Sequence, residues 1–460
     1  MITNAHEKFV GPMPVVEFLS DFIPKATQSR PENKTNLDHL FVSQNEDAFV
    51  SHSGLKGLSM LTPIQIRAIE ESGLCPHLKF INTTSRKDHL YRLKPDIAIY
   101  SGYPSVETGS RRFLDWKTVD LWIENNNNDI FHALIQMKIE DEMDEDLQSD
   151  IESSYDVCDQ HQLLSYASVL DHSQFRIFSF SVVIFGDTGR LLRWDRSGVI
   201  YSEPFDWVNQ PDMLLEFFWR LNFLSDVDRG YDTTVTTVRD DEVGAALSKL
   251  KTYKGLEDVQ KSALRQILVH DDRATDGELK CYITPSATWH TESPFGRSTF
   301  GYIDYDVTTS KLVYLKDFWR TDLPGIQKEG DVYRELHEAE VLNIPLLGRA
   351  GDVPLSPAHS NTAPLVSQRT KTQDYVKGSG CGPEWCLGQP QVNPYVHYRL
   401  VLETLGQPLK TFNSTRQLCE VIRDAIVGKQ CRCLLDFPVV KGLGQLIRWH
   451  MRRLTFCIGM

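Results

Sequence analysis

Two strand-like segments, "FGYIDYDV" (300–307) and "KLVYLKDF" (311–318), lie back to back and lead into a helical stretch, "KEGDVYRELHEA" (328–339). They predict successive antiparallel strands with a helix packed against them. Period-two alternation carries Lys316 into an apolar setting, directly behind Val313, Tyr314 and Leu315. In the helix, Glu329 precedes Val332, Tyr333 and Leu336 at +3, +4 and +7, so its carboxylate shares the apolar face and points inward. An inward carboxylate needs a cation, and Lys316 is the nearest in the scheme; Glu335 is the fallback acid.

Just before these strands stands "GRSTFG", from Gly296 to Gly301, at a turn. Small residues there let backbone amides approach anionic oxygens. Ser298 occupies the middle position of a G-x-G-x-x-G pattern. Each feature has a plain reading by itself. A strand lysine usually snorkels to water, turn glycines usually serve a hairpin, and a first-turn glutamate usually complements the helix dipole. Taken in order, glycine loop, strand lysine and helix glutamate match the phosphate-binding small lobe of a kinase. "HYRLVLETLGQPL" adds a strand running into a linker, where an adenine-contacting hinge would fall.

Other segments are less specific. Val15–Phe22 forms a short amphipathic helix, and "TPIQIRAIEESG" (62–73) has a capping threonine, a first-turn proline and a terminal glycine. "KPDIAIY" (94–100) and "TVDLWIE" (118–124) are strand-like. Residues 125–159 form a polar, acidic insertion. A helix around "QHQLLSYASVL", a strand "FSFSVVIFG", a hairpin turning at Ser197-Gly198 and a buried helix "PDMLLEFFWRLNFLS" complete an N-terminal domain over 1–231. Residues 232–279 are charged and weakly helical, as expected of a linker. The run 348–393 is rich in Pro, Gly, Ser and Thr and suggests a long loop. Ser414 to Gln417 form a capping box before a helix with Leu418, Val421, Ile422, Ala425 and Ile426 on one face.

Composition excludes several classes. With 41% apolar and 10% aromatic residues the chain is ordinary globular material, and 460 residues allow two or three domains. A net charge of -13 argues against a general nucleic-acid binder. No apolar run approaches a bilayer span, and "MITNAHEKFVGPMPVVEFL" is not a secretory leader. The nine cysteines, including Cys381 and Cys386 in "CGPEWC" and Cys431 and Cys433 in "CRC", lack zinc-type spacing. Reduced thiols and an intracellular setting, cytoplasmic or nuclear, are the simple reading.

Several long motifs carry a family likeness. "YLKDFWRTDLPGIQKEGDVYRELHEAEVLNIPLL", "LLRWDRSGVIYSEPFDW", "FFWRLNFLSDVDRGYD", "QRTKTQDYV" and "HYRLVLETLGQPLKTFNSTRQLCEVIRDAI" resemble the fungal-type protein kinases of mushroom-forming fungi. The likeness covers most of the chain up to about Val427. It implies a two-lobed kinase fold, ATP with Mg²⁺, and phosphoryl transfer to Ser/Thr of a protein substrate. It assigns Lys316 to the phosphates, Glu329 to the ion pair, and Gly296, Ser298 and Gly301 to the glycine-rich loop. After "RDAIVGK" the family continues into an H-R-D catalytic loop and a D-x-G metal motif. This sequence continues "QCRCLLDFPVVKGLGQLIRWHMRRLTFCIGM", where "DFP" at Asp436 only superficially echoes that motif. No catalytic residue can be named. The expectation is a C-terminally truncated kinase-family chain: a small lobe and first large-lobe helix over 280–428, then a non-homologous tail over 429–460. In that tail, "LIRWHMRRLTF" also has the look of a membrane-surface helix.

The N-terminal half suggests a separate likeness. Asp96 in "KPDIAIY" and Glu124 in "VDLWIE" stand where nucleases of the PD-(D/E)XK superfamily hold Mg²⁺, but Asn126 replaces the lysine expected two residues after Glu124. The plain reading is a turn aspartate and a strand-end glutamate. Together these readings predict an α+β chain, with a mixed α/β nuclease-like domain and a kinase-like small lobe of antiparallel sheet and one helix, the large lobe missing. The function expected is weak ATP binding without catalysis. An active Ser/Thr kinase and a degenerate nuclease-fold scaffold or interaction protein stand as alternatives.

Overall fold

The computed structural model describes residues 5–28, 30, 69–70, 72–84, 92–101, 114–126, 131, 157–274, 277–290, 293–356, 366–376, 383–388, 390–407 and 412–433. It has both helices and sheets and divides into two units. The first comprises Met1–Asp232 with Glu292–Phe295 and Thr370–Asn393; the second comprises Thr233–Thr291, Gly296–Arg369 and Pro394–Met460.

In the first unit β1 (Phe9–Met13) and α1 (Val15–Phe22) precede β2 (Leu78–Asn82), β3 (Ile97–Ser101) and β4 (Leu121–Asn126). Then come α2 (Val157–Ser173), β5 (Phe178–Phe185), β6 (Thr188–Asp195), β7 (Val199–Ser202), β8 (Phe205–Asp206) and α3 (Asp212–Phe223). One mixed sheet runs β1-β7-β6-β5-β4-β3-β2, with β8 on β6. β4 and β5 are parallel and joined through α2, because parallel neighbours need a crossover. The central strand β5 is buried from Ser179 to Ile184, consistent with its Phe, Val and Ile content. Its alternate residues feed two cores. Phe180, Val182 and Ile184 pack with α1 and α3, whereas Val183 packs with Trp122, Trp194 and α2. The hairpin turn expected at Ser197-Gly198 joins β6 to β7, with Asp195 and Gly198 exchanging backbone hydrogen bonds.

The second unit contains β9 (Val235–Thr236), α4 (Asp240–Leu250), β10 (Arg265–Val269), β11 (Lys280–Thr284), β12 (Trp289–His290), β13 (Phe300–Asp306) and β14 (Lys311–Thr321). These are followed by α5 (Glu329–Glu338), β15 (Leu347–Asp352), β16 (Tyr395–Leu402) and α6 (Thr415–Cys433). The sheet order is β15-β16-β14-β13-β11-β10-β9, with β12 on β13, and every pairing is antiparallel. One face carries Ile303, Tyr314, Phe318, Tyr398, Leu400 and Leu402, packed with Tyr333 of α5. Val332 and Leu336 of α5 are buried with Val341.

Two expectations differ from what the chain does. Residues 232–279, expected as a linker, include β9, α4 and β10; β10 pairs with β11, and α4 buries Val243, Ala246 and Leu250 with Ile283 and Tyr305. The expected loop over 348–393 includes most of β15, which pairs along β16. Most of the helix expected over 62–73, nearly all of the acidic insertion, Cys381 and the tail after Cys433 lie outside the described residues. Among the described residues no helix is long and apolar enough to cross a membrane.

Candidate functional site

β14 and α5 together build the site. Gly301, Lys316 and Leu400 stand abreast on β13, β14 and β16, which turns the Lys316 side chain towards the face that α5 covers. Helix α5 can come close because its second residue is glycine. A Cβ on Gly330 would lie 2.4 Å from Ala350 Cβ and 2.5 Å from the Tyr398 hydroxyl. The Gly330 N–H donates to that hydroxyl at 3.2 Å. Seating the helix there delivers Glu329 to Lys316: Nζ donates to Oε1 at 2.8 Å and to Oε2 at 2.6 Å. Lys316 is 2% exposed and Glu329 7%. A buried pair of this kind costs desolvation, and removing one partner strands the other charge at a cost of about 3–5 kcal/mol. Lys316 Nζ also lies 4.3 Å from the centre of the Phe318 ring. The predicted Lys316–Glu329 partnership is thus present, while Glu335 bonds Gln327 instead.

The glycine loop lies alongside. Gly296 adopts φ +84°, and a Cβ there would meet no atom nearer than 4.0 Å, so its need is conformational. Gly301 has another reason. A Cβ there would meet the Tyr314 hydroxyl at 2.4 Å, so glycine is required by packing inside the unit itself. Ser298 has φ +32°, an uncommon conformation for a residue with a side chain. It is 3% exposed, and its Oγ finds no hydrogen-bond partner among the described residues.

Sequence reasoning missed Arg297. Its carbonyl accepts from the Trp319 N–H at 2.8 Å, its Nη2 stands 3.5 Å from Glu329 Oε2, and its guanidinium lies 4.8 Å from the Phe318 ring centre. It lies within the glycine pattern, and a basic residue in that turn was the available signal.

The opposite face of the same strands holds a buried polar network that was also missed. Asp317 accepts from Arg399 Nε at 2.8 Å and pairs with His397 Nε2 at 2.5 Å; His397 Nδ1 faces Gln368 at 2.6 Å, and Trp319 stacks on the imidazole. Burial opposes charge on Asp317, but His397 and Arg399 outweigh it and hold the carboxyl well below its usual range. At the foot of α5, Lys328 bridges Asp272 at 2.7 Å and Asp352 at 2.8 Å, and Arg320 grips Asp352 with two donors. Burial again opposes charge on Asp272, yet its hydrogen bonds and Lys328 bring the carboxyl down to about 2.

In the first unit Asp96 and Glu124 do come together. The Asp96 N–H donates to Glu124 Oε2 at 3.2 Å, and Asp96 Oδ2 accepts from the Asn125 N–H at 2.9 Å and from Asn125 Nδ2 at 3.1 Å. Gln162 of α2 donates to Glu124 Oε1 at 2.5 Å. These bonds tie β3, β4 and α2 together. Among the described residues no group of three or more His, Cys, Asp or Glu is arranged to hold a metal ion.

In the second-unit site Lys316 and Arg297 both stand beside the Glu329 carboxylate, next to the turn that carries Ser298. The same set contains no second carboxylate for Mg²⁺, which has no assigned ligands among these residues. Comparison with known protein families matches residues 142–434 to the fungal protein kinases. No curated protein and no solved structure matches. The matched span takes in β5 to β16, including the glycine loop, Lys316 and Glu329, and exceeds half of the 460 residues. The chain belongs to the fungal protein kinase family.

Proposed function

We propose that the second unit is a kinase-type nucleotide lobe, and that this chain holds ATP through Lys316 without transferring its γ-phosphate. The observation that carries the reading is the buried Lys316–Glu329 pair at 2.6 Å. In kinase chemistry such a pair fixes the lysine so that its ammonium meets the α- and β-phosphates, and the triphosphate supplies the transferable group. Here Glu329 holds Nζ by two hydrogen bonds, and Phe318 lies beneath it, so the ammonium is preorganised. Burial keeps water from screening that charge. The loop from Gly296 to Gly301 would cover the phosphates, and the chain after β16, where Tyr253 holds the Gly406 carbonyl at 2.8 Å, would border the base.

Transfer needs more than a held nucleotide. A base must orient the accepting hydroxyl, and metal ions must offset charge on the phosphates. No His-Arg-Asp occurs in the 460 residues. Incubating the full chain with γ-labelled ATP and Mg²⁺ tests the reading. The expected result is no label on the protein, in wild type and in Lys316→Ala alike. Label that appears in wild type and vanishes in Lys316→Ala would show transfer and overturn it.

A further inference from the structure

Lys328 occupies a position that helices normally give to another residue type. It is the N-cap of α5, in an extended conformation, and its side chain makes no capping hydrogen bond. Ser, Thr, Asp and Asn serve that position, and a cation there adds to the positive end of the helix dipole. What the side chain reaches explains the residue instead. Its Nζ donates to Asp272 Oδ2 at 2.7 Å and to Asp352 Oδ2 at 2.8 Å. Both carboxylates are fixed from other elements. Arg320 grips Asp352 through Nε and Nη2 at 2.7 and 2.9 Å, and Asp272 Oδ1 accepts the Asp352 N–H at 3.0 Å. Asp272 gives its own N–H to the Ala350 carbonyl at 3.1 Å, which ties the turn after β10 along β15. Asp271 of the same turn accepts from Arg334 Nη2, further along α5, at 2.8 Å.

These bonds close a ring around the candidate site. Arg320 stands on β14, the strand that carries Lys316, and Glu329 follows Lys328 directly. From Lys316 the path runs along β14 to Arg320, through Asp352 to Lys328, over one peptide bond to Glu329, and back to Lys316 at 2.6 Å. Beyond Glu329 the helix is seated by Gly330 against Tyr398 and by buried Val332, Tyr333 and Leu336. Lys328 fixes the near side. We propose that Lys328 is a positioning residue: with Asp272 and Asp352 it clamps the start of α5 and so holds the Glu329 carboxylate on Lys316. The consequence for ligand affinity rests on the nucleotide-binding reading; the clamp itself does not.

Hydrogen exchange over 329–338 in the ligand-free full chain, beside calorimetric titration with ATP, tests this, with thermal melts confirming that each variant folds. Lys328→Met is expected to speed exchange across α5 and to weaken ATP by roughly tenfold, and Lys328→Arg to recover most of the loss. Asp272→Asn, which keeps an acceptor for the Asp352 N–H, is expected to act in the same direction as Lys328→Met. In a Glu329→Gln background Lys328→Met is expected to add no further loss of ATP affinity, because it acts through that carboxylate. A residue that served stability alone would give additive losses. Unchanged exchange, unchanged ATP affinity or additive losses would each overturn the proposal, and the nucleotide reading would stand if Lys316→Ala still weakens ATP. If wild type takes up no ATP, the nucleotide reading falls and exchange alone decides the clamp: faster exchange in Lys328→Met keeps it, and equal exchange removes it.

Discussion

Asp304 lies on β13 with none of its surface exposed. Burial pushes its carboxyl up to about 7 and Asp317 adds to the rise; a hydrogen bond from the Thr284 hydroxyl on β11 and the charge of Arg399 only partly oppose it. The unfolded value lies near 3.8, so between those values the native state holds a proton that the unfolded chain releases. Stability therefore declines as pH rises from about 4 to about 7, by an amount on the order of 4 kcal/mol. Replacing Asp304 with Asn removes the titrating group. Urea midpoints between pH 5 and pH 8 are expected to fall less steeply in Asp304→Asn than in wild type; equal slopes would contradict the burial argument. Asp171, which burial raises to about 6, contributes the same sign in both proteins, so the comparison isolates Asp304. Neither Asp304 nor Asp317 could be located from sequence. Polar residues alternating with apolar ones normally mark the solvent face of a strand, and in "FGYIDYDV" that face is buried. Lys316 and Glu329 were legible because each lies in an apolar period, where a charge needs a partner.

Among the elements, α5 shows how a glycine sets a site. Alanine is the better helix former by about 1 kcal/mol, so Gly330→Ala would stabilise an isolated helix. Here its Cβ would fall inside the contact distance of Ala350 and Tyr398, and overpacking of this kind costs about 1–3 kcal/mol. The second effect wins. Gly330→Ala is expected to lower stability by about 1 kcal/mol or more and to weaken ATP binding, because Glu329 moves with the helix. Urea unfolding and an ATP titration check both parts; a more stable variant with unchanged affinity would show that α5 does not seat through this glycine. Strand β15 escaped recognition for a related reason. "LGRAGD" has two glycines and no β-branched residue, so it lacks strand propensity. Gly351 is nonetheless required, since a Cβ would meet the His270 carbonyl at 2.8 Å. Helix α6 was readable from its start. Ser414 Oγ accepts from the Gln417 N–H at 3.2 Å, and Gln417 Oε1 reaches back one residue further than a capping box predicts, to the Asn413 N–H.

On the scale of the whole molecule, linear domain boundaries do not describe the chain. It passes between its two units at 232/233, 291/292, 295/296, 369/370 and 393/394. The segment Thr370–Asn393, which leaves from between β15 and β16, is held within the first unit. Asp195 accepts the Lys371 and Thr372 N–H groups at 2.9 and 3.1 Å, Tyr375 donates to Asp21 at 2.7 Å, and Trp385 donates to Glu17 at 3.1 Å. A sequence reading divides a chain where composition changes, and tertiary capture of a return segment leaves no such mark. The account as a whole depends on an ammonium–carboxylate pair that is built to receive a nucleotide. The most direct measurement is equilibrium titration of the full chain with ATP, wild type beside Lys316→Ala, with melting curves to confirm that both are folded. The account predicts saturable binding in wild type that weakens at least roughly tenfold in the variant. Equal binding by the two proteins, or none by wild type, would contradict it.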